Sequence, residues 1–439
     1  MALFKEKQKR VELTDGLRAA IKTFQPEPLD EDNFDAFYNA NTMVIRTGNE
    51  YITPLGDIFD DCTTPLNRNA HLLSGHRGCG KSTELYSLKL RLEEEGHPVC
   101  MIDCQSEMNL NLADCWDIML FITEGLCRIA DIYNIELDQG LVSDIYNYIL
   151  QDSEITSEFT DSRDINVGLT LNLIASIKGG LQMGDTQRTT LKTKMEKRGA
   201  DWKRYVNEIS DVITEAMQGR QPILIFEDMD KIQPFHRALD IFMYDTLAKM
   251  PFPIIYTFPI AEIYSSKFAA LKGLYKTHVL PMIKVHNADK SEHTAGIAVI
   301  EEIVGKRADI GFFDENALRL LVEQTGGALR HLFECILTAC RIAIRRGSEK
   351  IEIDDAKIAL ERLTSELTRS ISIADNEVLT NIYNSINHRK QLEDTTTVLE
   401  HMHSLVVLEY QNGERWHDLH PLVVAFLKDR GIFDVPKKD

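Results

Sequence analysis

The chain has 439 residues, 44% of them hydrophobic and 27% charged, with a formal net charge of −19. That is room for about three domains of ordinary size. So acidic a protein repels phosphate polymers at long range, and a nucleic-acid partner would need a local basic patch. There is no apolar run of about 18 residues to span a membrane, and MALFKEKQKR lacks the apolar stretch of a secretory signal. Cys62, Cys79, Cys100, Cys104, Cys115, Cys127, Cys335 and Cys340 form no CxxC pair or other metal spacing. They are expected to be buried free thiols in a reducing cytoplasmic setting, with no zinc site.

In chain order, residues 1–24 read as a short amphipathic helix broken by Pro26 and Pro28. MVIRTGNEYITPLGDIF reads as strand, turn and helix. HLLSG (71–75) is an apolar strand running into a glycine-rich turn. A helix opens at Lys81, with Leu85, Leu88 and Leu92 on one face and Gly96 at its stop. Val99–Cys104 is a second buried strand and Ala113–Tyr133 a long helix. Between about 150 and 205 the pattern changes. Ile165, Val167, Leu169, Leu171 and Leu173 alternate as in a strand, and Gly179-Gly180 marks a turn, so an inserted hairpin is expected. Arg188, Lys192, Lys194, Lys197, Arg198, Lys203 and Arg204 follow as a basic run, expected to be a solvated helix face. PILIF (222–226), PIIYTF (253–258) and VLPMIKV (279–285) complete a set of near-continuous apolar strands, which predicts a parallel sheet covered on both faces. Beyond 286 the chain reads as helices, with Asp314 and Asp354 as N-caps and Gly326-Gly327 as a stop. From 371 the order is helix, helix, strand, Asn412-Gly413 turn, strand, helix, the order of a winged helix.

Gly75-His76-Arg77-Gly78-Cys79-Gly80-Lys81-Ser82-Thr83 matches GxxxxGK[ST] in full. Glycines let backbone N–H groups converge on phosphate oxygens, and the helix adds its positive end. Lys81 is placed to reach the β- and γ-phosphates and Ser82 to hold Mg²⁺. In ILIFEDMD (223–230), carboxylates emerge from a buried strand. One would orient the Mg²⁺ shell and another would polarise the attacking water.

LLSGHRGCGKSTEL, LIFEDMDKI and TGGALRHLFE, in this order, resemble the AAA+ superfamily over roughly 40–365, closest to its bacterial STAND-like and origin-recognition flavours. The resemblance implies an α/β fold: a parallel-sheet P-loop NTPase with five strands, followed by an α-helical lid and here a small winged-helix domain. ATP would bind between sheet and lid. It gives Glu227 the Mg²⁺-side position, where the family more often has Asp, and Asp228 the catalytic acid, where many motors have Glu. In the NACHT-like variant Asp230 is the second acid instead. Thr257 takes the polar sensor position, Arg330 the lid arginine, and Arg46 with Glu50 the segment lining the adenine pocket. Residues 260–285 hold Lys267, Lys272, Lys276 and Lys284 but no arginine to act as a finger, and lysine lacks the forked geometry.

These readings divide the chain into an N-terminal helix and linker (1–40), an ATPase core (41–285), a lid (286–367) and a winged-helix-like domain (368–439). The helix expected near 391–404 carries Glu393, Asp394 and Glu400, which oppose phosphate contact. His401, His403, His417 and His420 are expected as surface and core residues. The favoured function is a slow ATPase switch that acts on an effector or regulatory protein, as a homo- or hetero-oligomer and away from membranes. Defence systems are where the resemblance places such modules. The alternatives are a DNA-associated loader and a scaffold that binds nucleotide without turnover. No GxSxG elbow supports a covalent nucleophile.

Overall fold

The computed structural model describes residues 16–64, 69–150, 185–314, 316–385 and 395–433. Five parallel strands form the main sheet: β1 (Ala70–Gly75), β2 (Val99–Asp103), β3 (Ile223–Glu227), β4 (Ile254–Pro259) and β5 (Lys276–Val279). Their order is β2-β3-β4-β1-β5. Side chains alternate between the faces of a strand, and here both faces are buried. Ala70, Leu72, Leu224 and Phe226 pack with helices Cys115–Ile132 and Asp185–Ala216. Leu73, Ile223, Ile225 and Ile255 point the other way, toward helices Pro54–Thr63 and Lys81–Glu94. That double burial is why β1 to β4 read as apolar runs, whereas β5 at the sheet edge is only half-buried. Because β4 lies between β1 and β3, Thr257 stands between the glycine-rich loop after β1 and the acids after β3.

Helices Thr294–Gly305, Ala317–Gln324, Leu329–Arg346 and Ile353–Leu367 share a second core, the lid. The N-terminal helix, described over Leu17–Thr23, packs on it through Leu17, Ala20 and Phe24, with the Phe24 and Phe333 rings 5.7 Å apart. Helices Asn376–Asn384 and Thr396–His403, strands β6 (Val407–Asn412) and β7 (Glu414–Leu419), and helix Pro421–Asp429 follow in the predicted order. Gly413, at φ +74°, makes the reversal. This C-terminal unit does not stand apart. Leu399, Met402 and Val407 pack against Ile260 and Ala261, just after β4. Leu408, Tyr410 and Trp416 join the core beneath the Lys81–Glu94 helix.

Several expectations are corrected. Residues 43–47, read as strand, lie in a helix, Asn41–Thr47, whose buried face is polar: Thr42, Arg46 and Thr47. The last strand is Lys276–Val279, not 279–285. Pro281 has no N–H for a ladder, and the Met282 N–H goes instead to the Glu409 carbonyl of β6 at 3.0 Å. Asp314 does not cap its helix, which starts after Asn316. Glu352, in a capping box with Asp355, replaces Asp354 as the cap of Ile353–Leu367. The predicted hairpin over 165–173 and its turn at Gly179-Gly180 lie outside the described residues, as do Glu393 and Asp394.

Candidate functional site

The loop after β1 is shaped by contacts that exclude side chains. A Cβ on Gly75 would lie 2.8 Å from the Leu280 carbonyl oxygen. Gly78 and Gly80 sit at φ +73° and +103°, where L-residues are strained. A Cβ on Gly78 would also come within 2.4 Å of the Arg330 Cβ. The lid arginine thus rides directly on the loop, its backbone N–H donating to the Gly78 carbonyl at 3.4 Å. Ser82 and Thr83 follow at the start of the helix and line the cavity beside it.

Lys81 is buried and donates to the Gly75 and His76 carbonyls at 2.9 and 3.1 Å. Its Nζ lies 3.0 Å from Asp230 Oδ2. Burial alone would lower the ammonium pKa, but the Asp230 carboxylate outweighs it and the pKa is raised. Reciprocally, burial would raise Asp230, and Lys81 instead holds it below its ordinary value. The Asp230 N–H reaches the Thr257 hydroxyl at 3.4 Å.

Glu227 ends β3 with Oε1 buried and without a hydrogen-bond partner. Burial raises its carboxyl to about 7, against the lowering effect of the neighbouring Ser82 hydroxyl. Asp228 turns the chain at φ +65° and pairs with Lys231 at 2.7 Å. Burial raises its pKa too. The two acids and Ser82 therefore cluster at the mouth of the loop.

The remaining predicted residues divide. Arg77 and Arg330 line the cavity, each with a buried Nε that has no partner. Arg46 also lines it but is spent on backbone. It donates to the Pro281 carbonyl at 2.6 Å and to that of Cys79, bracing the loop from behind. Glu50 is exposed and is not among the lining residues. Cys79 is buried beneath the loop, its thiol toward the Leu280 carbonyl. His76 points away from the cavity, and its Nε2 accepts the Glu409 N–H at 2.9 Å. Burial pushes its imidazole down to about 4, in keeping with an acceptor nitrogen. The C-terminal histidines are not brought together: His401 lies 3.6 Å from Asp375, His417 3.5 Å from Glu409, and His420 3.2 Å from His331.

The cavity between sheet and lid has a volume of about 340 Å³. Its far end is closed by residues that no sequence motif marks. Arg307 of the lid is 6% exposed and lies over the Phe37 and Phe333 rings at 4.8 and 4.6 Å. Its Nε and Nη1 have no partner, and burial lowers its pKa to about 10. Beside it Asn39 has an unpartnered amide nitrogen. Glu84 closes the floor, accepting from Tyr38 and Thr42 at 3.1 and 3.0 Å.

No family model matches the chain, and no curated protein matches it. Similar solved structures include Cdc6p from Pyrobaculum aerophilum, 12% identical over 93% of this chain and 98% of that one, TM-score 0.38. A Walker-type ATPase of Pyrococcus abyssi is 15% identical over 92% and 99%, TM-score 0.41. The Aeropyrum pernix ORC1 protein, solved in complex with DNA, is 13% identical over 86% and 91%, TM-score 0.34. At those scores the likeness is too distant to carry an argument about function. Among the described residues, no helix is long and apolar enough to cross a membrane.

Proposed function

We propose that this chain is a cytoplasmic AAA+/STAND-like ATPase that binds ATP with Mg²⁺, hydrolyses it slowly, and acts as a nucleotide-dependent switch on an effector or regulatory protein. Residues 41–285 would be the ATPase, 286–367 its lid and 368–439 a winged-helix domain. A bacterial defence role is part of the same reading. The observation that carries it is the convergence of Lys81, Ser82, Asp228, Asp230 and Arg330 on one cavity between sheet and lid, with Glu227 behind Ser82 and outside the cavity lining.

The triphosphate would lie in the loop. Lys81, now held by two loop carbonyls and Asp230, would turn to its oxygens. Arg330 would meet the γ-phosphate from the lid. Mg²⁺, which neutralises developing charge on the phosphates, fits the unpartnered Glu227 Oε1 facing Ser82, with Asp228 alongside. Asp228 is also the better candidate to polarise water, because its partner Lys231 is partly exposed and free to move, whereas Asp230 is buried against Lys81. The base would stack toward Phe37 and Phe333, with Arg307 donating to its ring nitrogens.

Nucleic acid remains the rival. On the helix bearing the basic run, Arg198 and Arg204 are already paired with Asp201 and Glu208 at 2.8 and 3.0 Å. The test is steady-state ATP turnover with and without duplex DNA, with Lys81→Ala as the blank. Turnover at about 10⁻⁴–10⁻² s⁻¹, indifferent to DNA, is expected of an unassisted switch. Asp228→Asn should abolish it while ATP still binds. Strong DNA stimulation would replace the switch with the loader.

A further inference from the structure

We propose that Asp61, His71 and His278 form a binding site for a divalent transition-metal cation, with zinc the best match. His71 lies on β1 and His278 on β5. The register pairs His71 with Lys276 and Leu73 with His278, so both imidazoles stand on one face of adjacent strands. Asp61 reaches them from helix Pro54–Thr63. His71 Nδ1 is 3.2 Å from His278 Nε2 and 3.9 Å from Asp61 Oδ2. One ligand atom from each residue lies within 4.8 Å of the others.

Tetrahedral zinc with bonds of about 2.0–2.1 Å holds its ligand atoms about 3.3–3.4 Å apart. The 3.2 Å separation already matches, the 3.9 Å one must close by about half an ångström, and Asp61 and His278 must draw together from within 4.8 Å. Three protein ligands, two imidazoles and a carboxylate, leave a fourth position for water, the donor count of an open zinc site.

The protons balance. Two neutral imidazoles facing each other at 3.2 Å share one proton. On metal binding that proton moves to the outer nitrogen of the same ring, a tautomer change and not an ionisation. With the metal on Nδ1 the His71 ring proton sits on Nε2, which is buried with no acceptor, a cost the metal bonds must offset. Asp61 and His278 are half-buried, which gives the ion a route in.

A neighbouring charge also opposes the cation. Lys276 Nζ lies 2.6 Å from Asp61 Oδ2. Its side chain is partly exposed and can swing into solvent, but its charge weakens the site. The opposition supplies a decisive variant.

The full chain, stripped with EDTA, is titrated with Zn²⁺ by calorimetry and with Co²⁺ by visible absorption. One Zn²⁺ per chain and a tetrahedral Co²⁺ spectrum are expected. His278→Ala and Asp61→Asn should each weaken binding by about 100-fold or more, beyond the loss expected from a residue that only orients a ligand. Lys276→Met should tighten it about tenfold by removing a like charge a few ångströms away. Misfolding cannot produce a gain, so that variant guards against a trivial loss in the others. Absence of Zn²⁺ binding, binding unchanged by His278→Ala, or Lys276→Met no tighter than the parent would each overturn the site.

Discussion

At Glu227, burial and the proposed metal binding would act in opposite directions. Burial lifts the carboxyl to about 7, whereas Mg²⁺ needs the carboxylate. Protons should therefore compete with the ion just below neutrality, and apparent Mg²⁺ affinity should fall about tenfold per pH unit below the raised pKa. Mg²⁺ titrations of ATP turnover at several pH values check this, and Glu227→Gln should lose the pH dependence along with most of the affinity. Without metal the sign of stability follows the same logic. The folded form prefers the protonated group, so stability declines as pH climbs from the ordinary value of 4.5 toward 7. Lys81, Ser82, Glu227 and Asp228 could be found in the sequence because their chemistry lies in contiguous motifs. Arg307 and Asn39 could not, since their meaning comes from the rings and the cavity around them, 268 residues apart in the chain.

Between elements, lid and loop approach closely at Gly78. Alanine there meets a left-handed φ, worth about 1–2 kcal/mol, and a methyl 2.4 Å from the Arg330 Cβ. The lid must back away. Gly78→Ala should weaken ATP binding by tenfold or more and lower the denaturation midpoint, read by equilibrium binding and urea unfolding. The strands, the loop and the lid helices were legible because apolar periodicity reports burial. The helix Asn41–Thr47 was not. Its buried residues are Thr42, Arg46 and Thr47, while Val44 is outside at 40% exposure, so its apolar pattern imitates a strand. The last strand was overrun for a related reason: residues 280–285 are apolar because they pass under β6 and the lid.

For the whole molecule, Glu409 is the junction. Its N–H goes to His76 in the phosphate loop, its carbonyl takes the Met282 N–H after β5, and its buried carboxylate accepts from Tyr264, which follows β4. A loop that moves with nucleotide must then pull on β6. Hydrogen exchange at the Glu409 amide should differ between ADP and a non-hydrolysable ATP analogue. Equal protection in both states would mean that the C-terminal unit is fixed and signals nothing. The same junction bears on synthesis. His76 leaves the ribosome 333 residues ahead of its partner. Until β6 is translated, the loop lacks the contact that turns its histidine outward, and Leu408, Tyr410 and Trp416 are missing from the core beneath it. A growing chain therefore emerges with its glycine-rich motif spelled out but unfinished, and the loop gains its last support only when the final hairpin is made.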